Sequence, residues 1–215
     1  MMKLGVYAIC KNEIENIRFW LECAKEADEA VIVDTGSTDG TWEVLQKSGI
    51  RCIKKIFSQF RFDDARNYAL SLLPEDCDIC LPLDPDMVIS KGYCEALKKA
   101  WNANLGVLYI PMRYTQSNYV ETHFCHSRKR CKWVYPTYEQ LRFTGDEAKY
   151  DGVTIDHNYR YGRTAHYMIV GLAKLGMEEN PNNPYCKAVY ERSLKEYGRL
   201  SGTCEAAPTN ESVTV

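Results

Sequence analysis

The feature that most constrains this chain is the order of its apolar runs. Over roughly the first 110 residues, β-rich apolar segments alternate with segments of helical periodicity. "KLGVYAIC" (3–10), "AVIVD" (30–34), "IRCIKKIF" (50–57), "CDICLPLD" (77–84) and "LGVLYIPMRY" (105–114) read as strands. Between them, "EIENIRFWLECAKEA" places Ile14, Ile17, Leu21 and Ala24 at helical spacing. "TWEVLQKSG", with Asp39 or Gly40 as N-cap and Gly49 as stop, reads as a second helix. "DDARNYALSLL" and "SKGYCEALKKAWN" read as two more. Such alternation predicts a parallel sheet with helices on both faces.

From Tyr109 to about Ile155 the segments shorten and become rich in aromatics. They are expected to form a smaller mixed or antiparallel portion laid against the same sheet. From Thr164 onward the pattern predicts two helices joined by an Asn/Pro turn, followed by a polar end. The expected organisation is therefore a main domain over 1–163, with halves at about 1–110 and 111–163. Helices over 164–200 would pack on it, and 201–215 would be a flexible tail or a linker to further domains.

Charge and composition exclude several classes. Lys plus Arg is 27 and Asp plus Glu is 29, so no basic excess invites nucleic acid. No run approaches the roughly 20 apolar residues of a membrane span. The N-terminal apolar stretch is too short for a signal peptide, which predicts a cytoplasmic protein. Of the ten cysteines, Cys10, Cys23, Cys52, Cys80 and Cys94 sit within apolar patterns and are read as small buried hydrophobes, and no disulfide framework is expected. "CDIC" has zinc-like spacing, but no second Cys or His pair matches it.

Two of the strands end on a carboxylate, Asp34 and Asp84. Ligands of open α/β sheets bind beyond the carboxyl ends of strands. After Asp34 comes "TGSTDGT", whose small residues let backbone approach a ligand; Asp34 is either a turn former or a group projecting into that crevice. In "LPLDPDM", Asp84 and Asp86 flank Pro85. In an extended segment they would point to one side, and two hard oxygen donors suit Mn²⁺ or Mg²⁺. Alternatively the segment is a plain Asp-Pro-Asp turn. Arg66 in "RFDDARNYAL" offers bidentate phosphate recognition, or a surface pairing with Asp63 or Asp64. Lys11, Asn12 and Glu13 in "ICKNEIEN" border the same crevice, or simply open a helix.

As a set, "ICKNEIENI", "VIVDTGSTDGT", "DDARNYAL" and "LPLDPDM" resemble the family-2 glycosyltransferases. Order and spacing agree over the first 110 residues or so. The whole chain is also similar to N-terminal glycosyltransferase domains of large multidomain chlorella-virus proteins. The resemblance implies an α/β GT-A fold: a Rossmann-like mixed sheet of the nucleotide-diphospho-sugar transferases, with a C-terminal helical appendage. It implies a UDP-sugar donor, an inverting transfer, Mn²⁺ or Mg²⁺ as cofactor, and a glycan or glycoprotein acceptor. By position, Ile9, Lys11, Glu13, Asp34 and Gly36 would hold the nucleoside, and Arg66, Asp84 and Pro85 would lie beside the donor. Asp84 and Asp86 would bind the metal, and His157 would complete the shell or touch the diphosphate, or else be a satisfied strand-end histidine. In "KWVYPTYEQL", Glu139 matches the family's base, although Tyr138 stands where a His is usual. Asp156 is a weaker candidate base. Trp133 is a sugar-facing wall or core. His123 and His126 either border the acceptor or belong to a solvated hairpin.

Three enzyme rivals lack their motifs. "ICKNEIEN" has no glycine, as a nucleotidylyltransferase loop or a G-x-G-x-x-G dinucleotide site would need. A D-x-D phosphatase would carry its pair after strand one. A non-catalytic nucleotide-sugar or glycan binder on a transferase scaffold is the remaining alternative.

Overall fold

The computed structural model describes residues 2–115, 119–158 and 166–197. The expected tail at 201–215 and the boundary at 163–164 lie outside the described residues.

The strands are β1 (Leu4–Cys10), β2 (Glu29–Asp34), β3 (Arg51–Lys54), β4 (Ile79–Pro82), β5 (Met87–Ile89), β6 (Leu105–Tyr114), β7 (Val120–Ser127), β8 (Cys131–Val134), β9 (Gln140–Phe143), β10 (Asp146–Lys149) and β11 (Ile155–His157). The helices are α1 (Ile17–Ala24), α2 (Thr41–Gln46), α3 (Phe62–Ser71), α4 (Tyr93–Ala100), α5 (His166–Glu179) and α6 (Pro184–Tyr197). By internal contacts the chain forms two compact units. The first comprises Met1–Phe60, Asp64–Val134 and Leu141–Tyr159. The second comprises Arg61–Asp63, Tyr135–Gln140 and Arg160–Val215.

The first unit is built on a nine-stranded sheet in the order β3-β2-β1-β4-β7-β6-β11-β5, with β10 added beside β6. β3, β2, β1 and β4 run parallel, as the alternation predicts. The mixed portion expected after Tyr109 is present on the same sheet. β7 inserts antiparallel between β4 and β6. The reason is local: β6 and β7 pair as one antiparallel ribbon from Val107–His126 to Arg113–Val120, so β7 takes the edge that a crossover strand would have used. β8 and β9 make a separate two-stranded sheet. β5, a strand the sequence reading did not assign, pairs antiparallel with β11 directly after the Asp-Pro-Asp segment.

α1 buries Ile17, Trp20, Leu21 and Ala24, the i, i+3, i+4, i+7 stripe of an amphipathic helix. The helix begins later than the apolar spacing suggested, because the carbonyl of Glu13 already accepts from the Asn16 and Ile17 amides in a preceding turn. Ile14 is therefore outside it. Trp20 is fully buried, and its indole N–H donates to the Leu83 carbonyl at 2.7 Å. Truncating such an aromatic costs about 3–5 kcal/mol. The contact also fixes the chain immediately before Asp84.

In the second unit, α5 and α6 are the two helices expected after Thr164. α6 buries Cys186, Val189 and Ser193. Arg61 pairs with both Asp63 and Glu179. No described helix is long and apolar enough to cross a membrane.

Candidate active site

β1 and β2 end together, with Cys10 opposite Asp34 in the last parallel register. The loops that follow them are fastened to one another. The Asn12 amide donates to Ser37 Oγ at 2.9 Å, and the Thr38 amide donates to Asn12 Oδ1 at 2.8 Å. The Glu13 amide donates to Thr41 Oγ1, and the Ile14 amide to Asp39 Oδ2. The polar composition of "TGSTDGT" thus supplies partners to backbone that is in neither helix nor strand.

Asp34 does not project into the crevice. It is fully buried, and its Oδ1 accepts from the Gly36 and Ser37 amides at 2.9 and 3.0 Å. A short carboxylate reaching its own backbone two residues on outcompetes an outward rotamer here. Gly36 has φ 115°, and a Cβ there would stand 2.9 Å from Ile56 Cδ1, so only glycine suits this corner. Ile9 closes the end of the core, Glu13 is half-buried and Lys11 is exposed.

The segment Asp84–Met87 is not extended. The Met87 amide donates to the Asp84 carbonyl at 2.9 Å, closing a turn with Pro85 at its second position. The extended-chain argument for two converging carboxylates therefore does not hold. Each finds a separate partner. Asp84 receives a bidentate bond from Arg66, Nη1 to Oδ1 at 2.8 Å and Nη2 to Oδ2 at 2.9 Å. Burial pushes the Asp84 carboxyl upward, but Arg66, with His123 and His157 nearby, more than offsets this and leaves it below the usual range. Arg66 is thus tied to a carboxylate of the strand-end turn. Asp86 Oδ2 lies 3.3 Å from His157 Nε2. Burial alone would lower His157, yet Asp86 first, then Asp84 and Glu121, raise it.

Beneath Arg66 runs a buried chain of hydrogen bonds. The guanidinium lies 5.0 Å from the centre of the Trp133 ring. Trp133 Nε1 donates to the Tyr7 hydroxyl at 2.7 Å, and that hydroxyl donates to His126 Nε2 at 2.8 Å. His126 Nδ1 in turn faces the Ser127 carbonyl at 3.0 Å. Asn67 clasps the Trp133 backbone, donating to its carbonyl and accepting from its amide. Trp133 is thus core, not a sugar-facing wall. His126 is fully buried instead of solvated, and His123 Nε2 donates to the Pro82 carbonyl.

Burial drives the His126 pKa down to about 4. Its folded pKa is depressed below the unfolded value of about 6.5, so the unfolded state binds the extra proton between those limits. Stability contributed by neutral His126 is present above pH 6.5 and lost as pH falls towards 4. Unfolding free energies from denaturant titrations at pH 7 and pH 4.5 are expected to differ more for the wild type than for His126→Gln, by about 2–3 kcal/mol. Equal pH slopes would refute the assignment.

The structure does not bring every expected residue to the carboxylates. Asp156 is paired bidentately with Arg113, from Nε at 2.9 Å and Nη2 at 3.1 Å. Adjacent strand residues face opposite sides, so Asp156 points away from the side on which His157 meets Asp86. Glu139 belongs to the second unit, next to Tyr138, which has φ 48°. The Tyr138 carbonyl accepts from the Tyr185 hydroxyl at 2.6 Å, and Arg192 stacks 4.3 Å from its ring. Among the described residues no group of three or more His, Cys, Asp or Glu is poised around one metal position. Sequence reasoning missed the Tyr7 and Asn67 partnerships. The signals were a tyrosine inside an otherwise apolar strand and an asparagine inside a helix, both residues that need polar partners when covered.

Residues 6–165 match the family model "Glycosyl transferase family 2". The chain is a family-2 glycosyltransferase. The fold of this glycosyltransferase is GT-A. Residues 1–349 of S. aureus TarS superimpose with a TM-score of 0.61 at 14% identity, over 94% of this chain and 74% of that one. The same TarS segment in complex with UDP-GlcNAc gives 0.56 at 15% identity, over 94% and 75%. Glucosyl-3-phosphoglycerate synthase from Mycobacterium tuberculosis, in complex with Mn²⁺, UDP and phosphoglyceric acid, gives 0.52 at 13% identity, over 74% and 72%. The glycosyltransferase spans 45% of the longer TarS chain. No curated protein matches it by sequence.

Proposed function

We propose that this glycosyltransferase moves a sugar from a UDP-sugar to a hydroxyl of a glycan or glycoprotein, with a divalent cation and inversion at the anomeric carbon. The observation that carries this reading is the turn after β4, which presents an Arg66–Asp84 pair and an Asp86–His157 pair at one strand end. UDP, UDP-GlcNAc and Mn²⁺ in the complexes of TarS and the mycobacterial synthase support it.

The donor set fits a divalent ion. Neighbouring ligands of an octahedral ion at about 2.1 Å stand about 3 Å apart, and Asp86 Oδ2 and His157 Nε2 are 3.3 Å apart. Asp86 and His157 would hold Mn²⁺ or Mg²⁺, a mixed oxygen and imidazole set that suits Mn²⁺ better. When bound, the ion supplies positive charge against the leaving diphosphate. Asp84, already neutralised by Arg66, is a ligand only if that pair opens. By position, Arg66 would also meet the diphosphate.

Asp34 and Gly36 keep the nucleoside-side loop in shape, while Ile9, Lys11 and Glu13 border it. Glu139, on the resemblance of its segment, accepts the acceptor proton. The acceptor oxygen attacks the anomeric carbon, and the bond to the diphosphate oxygen breaks with its electron pair leaving on UDP. Asp156 is not assigned as base, because Arg113 occupies its carboxylate. Rhamnose and glucose are the candidate sugars, and the chlorella-virus resemblance points to glycan building on a capsid protein. Further domains in a larger polypeptide and a cytoplasmic location belong to the same reading.

Calorimetric titration of UDP, with Mn²⁺ and then with EDTA, tests it. Binding that requires the metal is the expected result. UDP binding indifferent to EDTA would remove the metal, and no binding in either condition would remove the donor.

A further inference from the structure

We propose that Trp133 is a positioning residue for Arg66, and that Tyr7 and His126 hold its indole as a rigid support for the guanidinium that would meet the donor diphosphate. The role of Arg66 at the diphosphate rests on the transferase reading above; its support by Trp133 does not.

Trp133 is fixed at both ends. Asn67 clasps its backbone, donating to the carbonyl at 2.9 Å and accepting from the amide at 3.0 Å. The indole N–H donates to the Tyr7 hydroxyl at 2.7 Å. Anchoring both ends of a side chain that has two torsions leaves it a single rotamer. The Phe124 ring, centred 5.7 Å from the indole, packs against it as well.

The hydrogens beyond the indole run one way. An indole N–H only donates, so the Tyr7 oxygen accepts. The Tyr7 hydroxyl then donates to His126 Nε2 at 2.8 Å, and His126 Nδ1–H donates to the Ser127 carbonyl at 3.0 Å. Tyr7 and His126 are 0% exposed and Trp133 is 6% exposed. Breaking one bond at that depth would strand polar groups away from water, so the three side chains lock one another. Leucine or phenylalanine would fill the same space without fixing the angle of the ring.

What the indole supports is Arg66. The guanidinium carbon lies 5.0 Å from the ring centre, within reach of a cation–π contact. The same guanidinium makes the bidentate pair with Asp84. Ring and carboxylate hold it from two directions, and a planar cation gripped in this way cannot swing freely. The Arg66 side chain is 13% exposed, so both contacts act with little competition from water. α3 supplies both attachments to Trp133, since Arg66 and Asn67 are consecutive in it. An arginine ordered beforehand loses less freedom when a phosphate arrives.

The test is a double-mutant cycle on UDP affinity, measured by calorimetry in Mn²⁺. Trp133→Leu is expected to weaken UDP about tenfold, the scale of a largely desolvated cation–π contact. Trp133→Phe keeps an aromatic face and is expected to recover most of that loss. In an Arg66→Gln background, Trp133→Leu is expected to add less than about twofold, because the support has no cation left to hold. A purely structural tryptophan would give the same fold-loss in both backgrounds, and that result would overturn the proposal. The free protein gives a second readout. The Arg66 Nε–H resonance of ¹⁵N-labelled protein, assigned by its loss in Arg66→Gln, is expected to be sharp in the wild type and in Trp133→Phe and broadened in Trp133→Leu. Tyr7→Phe is expected to broaden it too and to move the Trp133 indole resonance, and it carries the same comparisons if Trp133→Leu does not fold. An Arg66 resonance indifferent to these changes would overturn the support whether or not UDP binds. A responsive Arg66 in a protein that does not bind UDP would uphold the support and overturn the donor reading.

Discussion

Asp86→Asn is expected to lower UDP affinity in Mn²⁺ at least a hundredfold and to leave the protein folded. The carboxylate is one of two donor atoms standing 3.3 Å apart, and an amide oxygen is a far weaker partner for a divalent ion. Removing a group that merely orients a metal ligand already costs 10–100-fold, so loss of a ligand should cost no less. Transfer should fall about 10²–10³-fold, the scale for removing one stabiliser of developing charge. The fold should tolerate the change, because Asn is isosteric and the Asp86 side chain is 19% exposed at a turn whose closing bond is backbone. Calorimetry with Mn²⁺ and with EDTA, beside a thermal melt, makes the comparison. A variant that keeps the wild-type Mn²⁺ dependence would end the metal role of Asp86.

Glu139→Gln is expected to keep UDP affinity and lose transfer by about 10²–10⁴-fold, the usual worth of a general base. The two readouts separate a base from a binding residue, since a binding residue would move both. Retained transfer would shift the base elsewhere. Asp156 would be next only if its bidentate bond to Arg113 opened, and Arg113→Ala should then raise activity instead of leaving it unchanged.

Much of the fold was legible because it rests on local periodicity. The stripe of α1 and the parallel set β1 to β4 follow from residue spacing and from strand-helix order. That the portion after Tyr109 would be mixed or antiparallel was legible; the place of β7 between β4 and β6 was not, because it is decided by sheet partners distant in sequence. At the site, residue types and positions were legible and side-chain directions were not. Asp34 was placed correctly at a strand end, but two amides of its own loop turn it inward. Asp84 and Asp86 were read as converging on the assumption of extended chain. Pro85 instead favoured a turn, and each carboxylate found a cation or imidazole from far along the chain: Arg66 on α3, His157 on β11. Spacing says which residues are near one another in sequence. Partner choice depends on which long-range groups the sheet brings alongside.

The buried carboxylate of Asp34 bears on how binding free energy is spent. A glycine-rich loop left to wander would have to be ordered by each arriving nucleotide, and that cost would be subtracted from affinity. Here the ordering is completed when the chain folds, by the buried Asp34 carboxylate and by the side chains of Asn12, Ser37 and Asp39. The heat capacity change on binding UDP should therefore be small, reflecting surface covered by the nucleotide and not the folding of a loop.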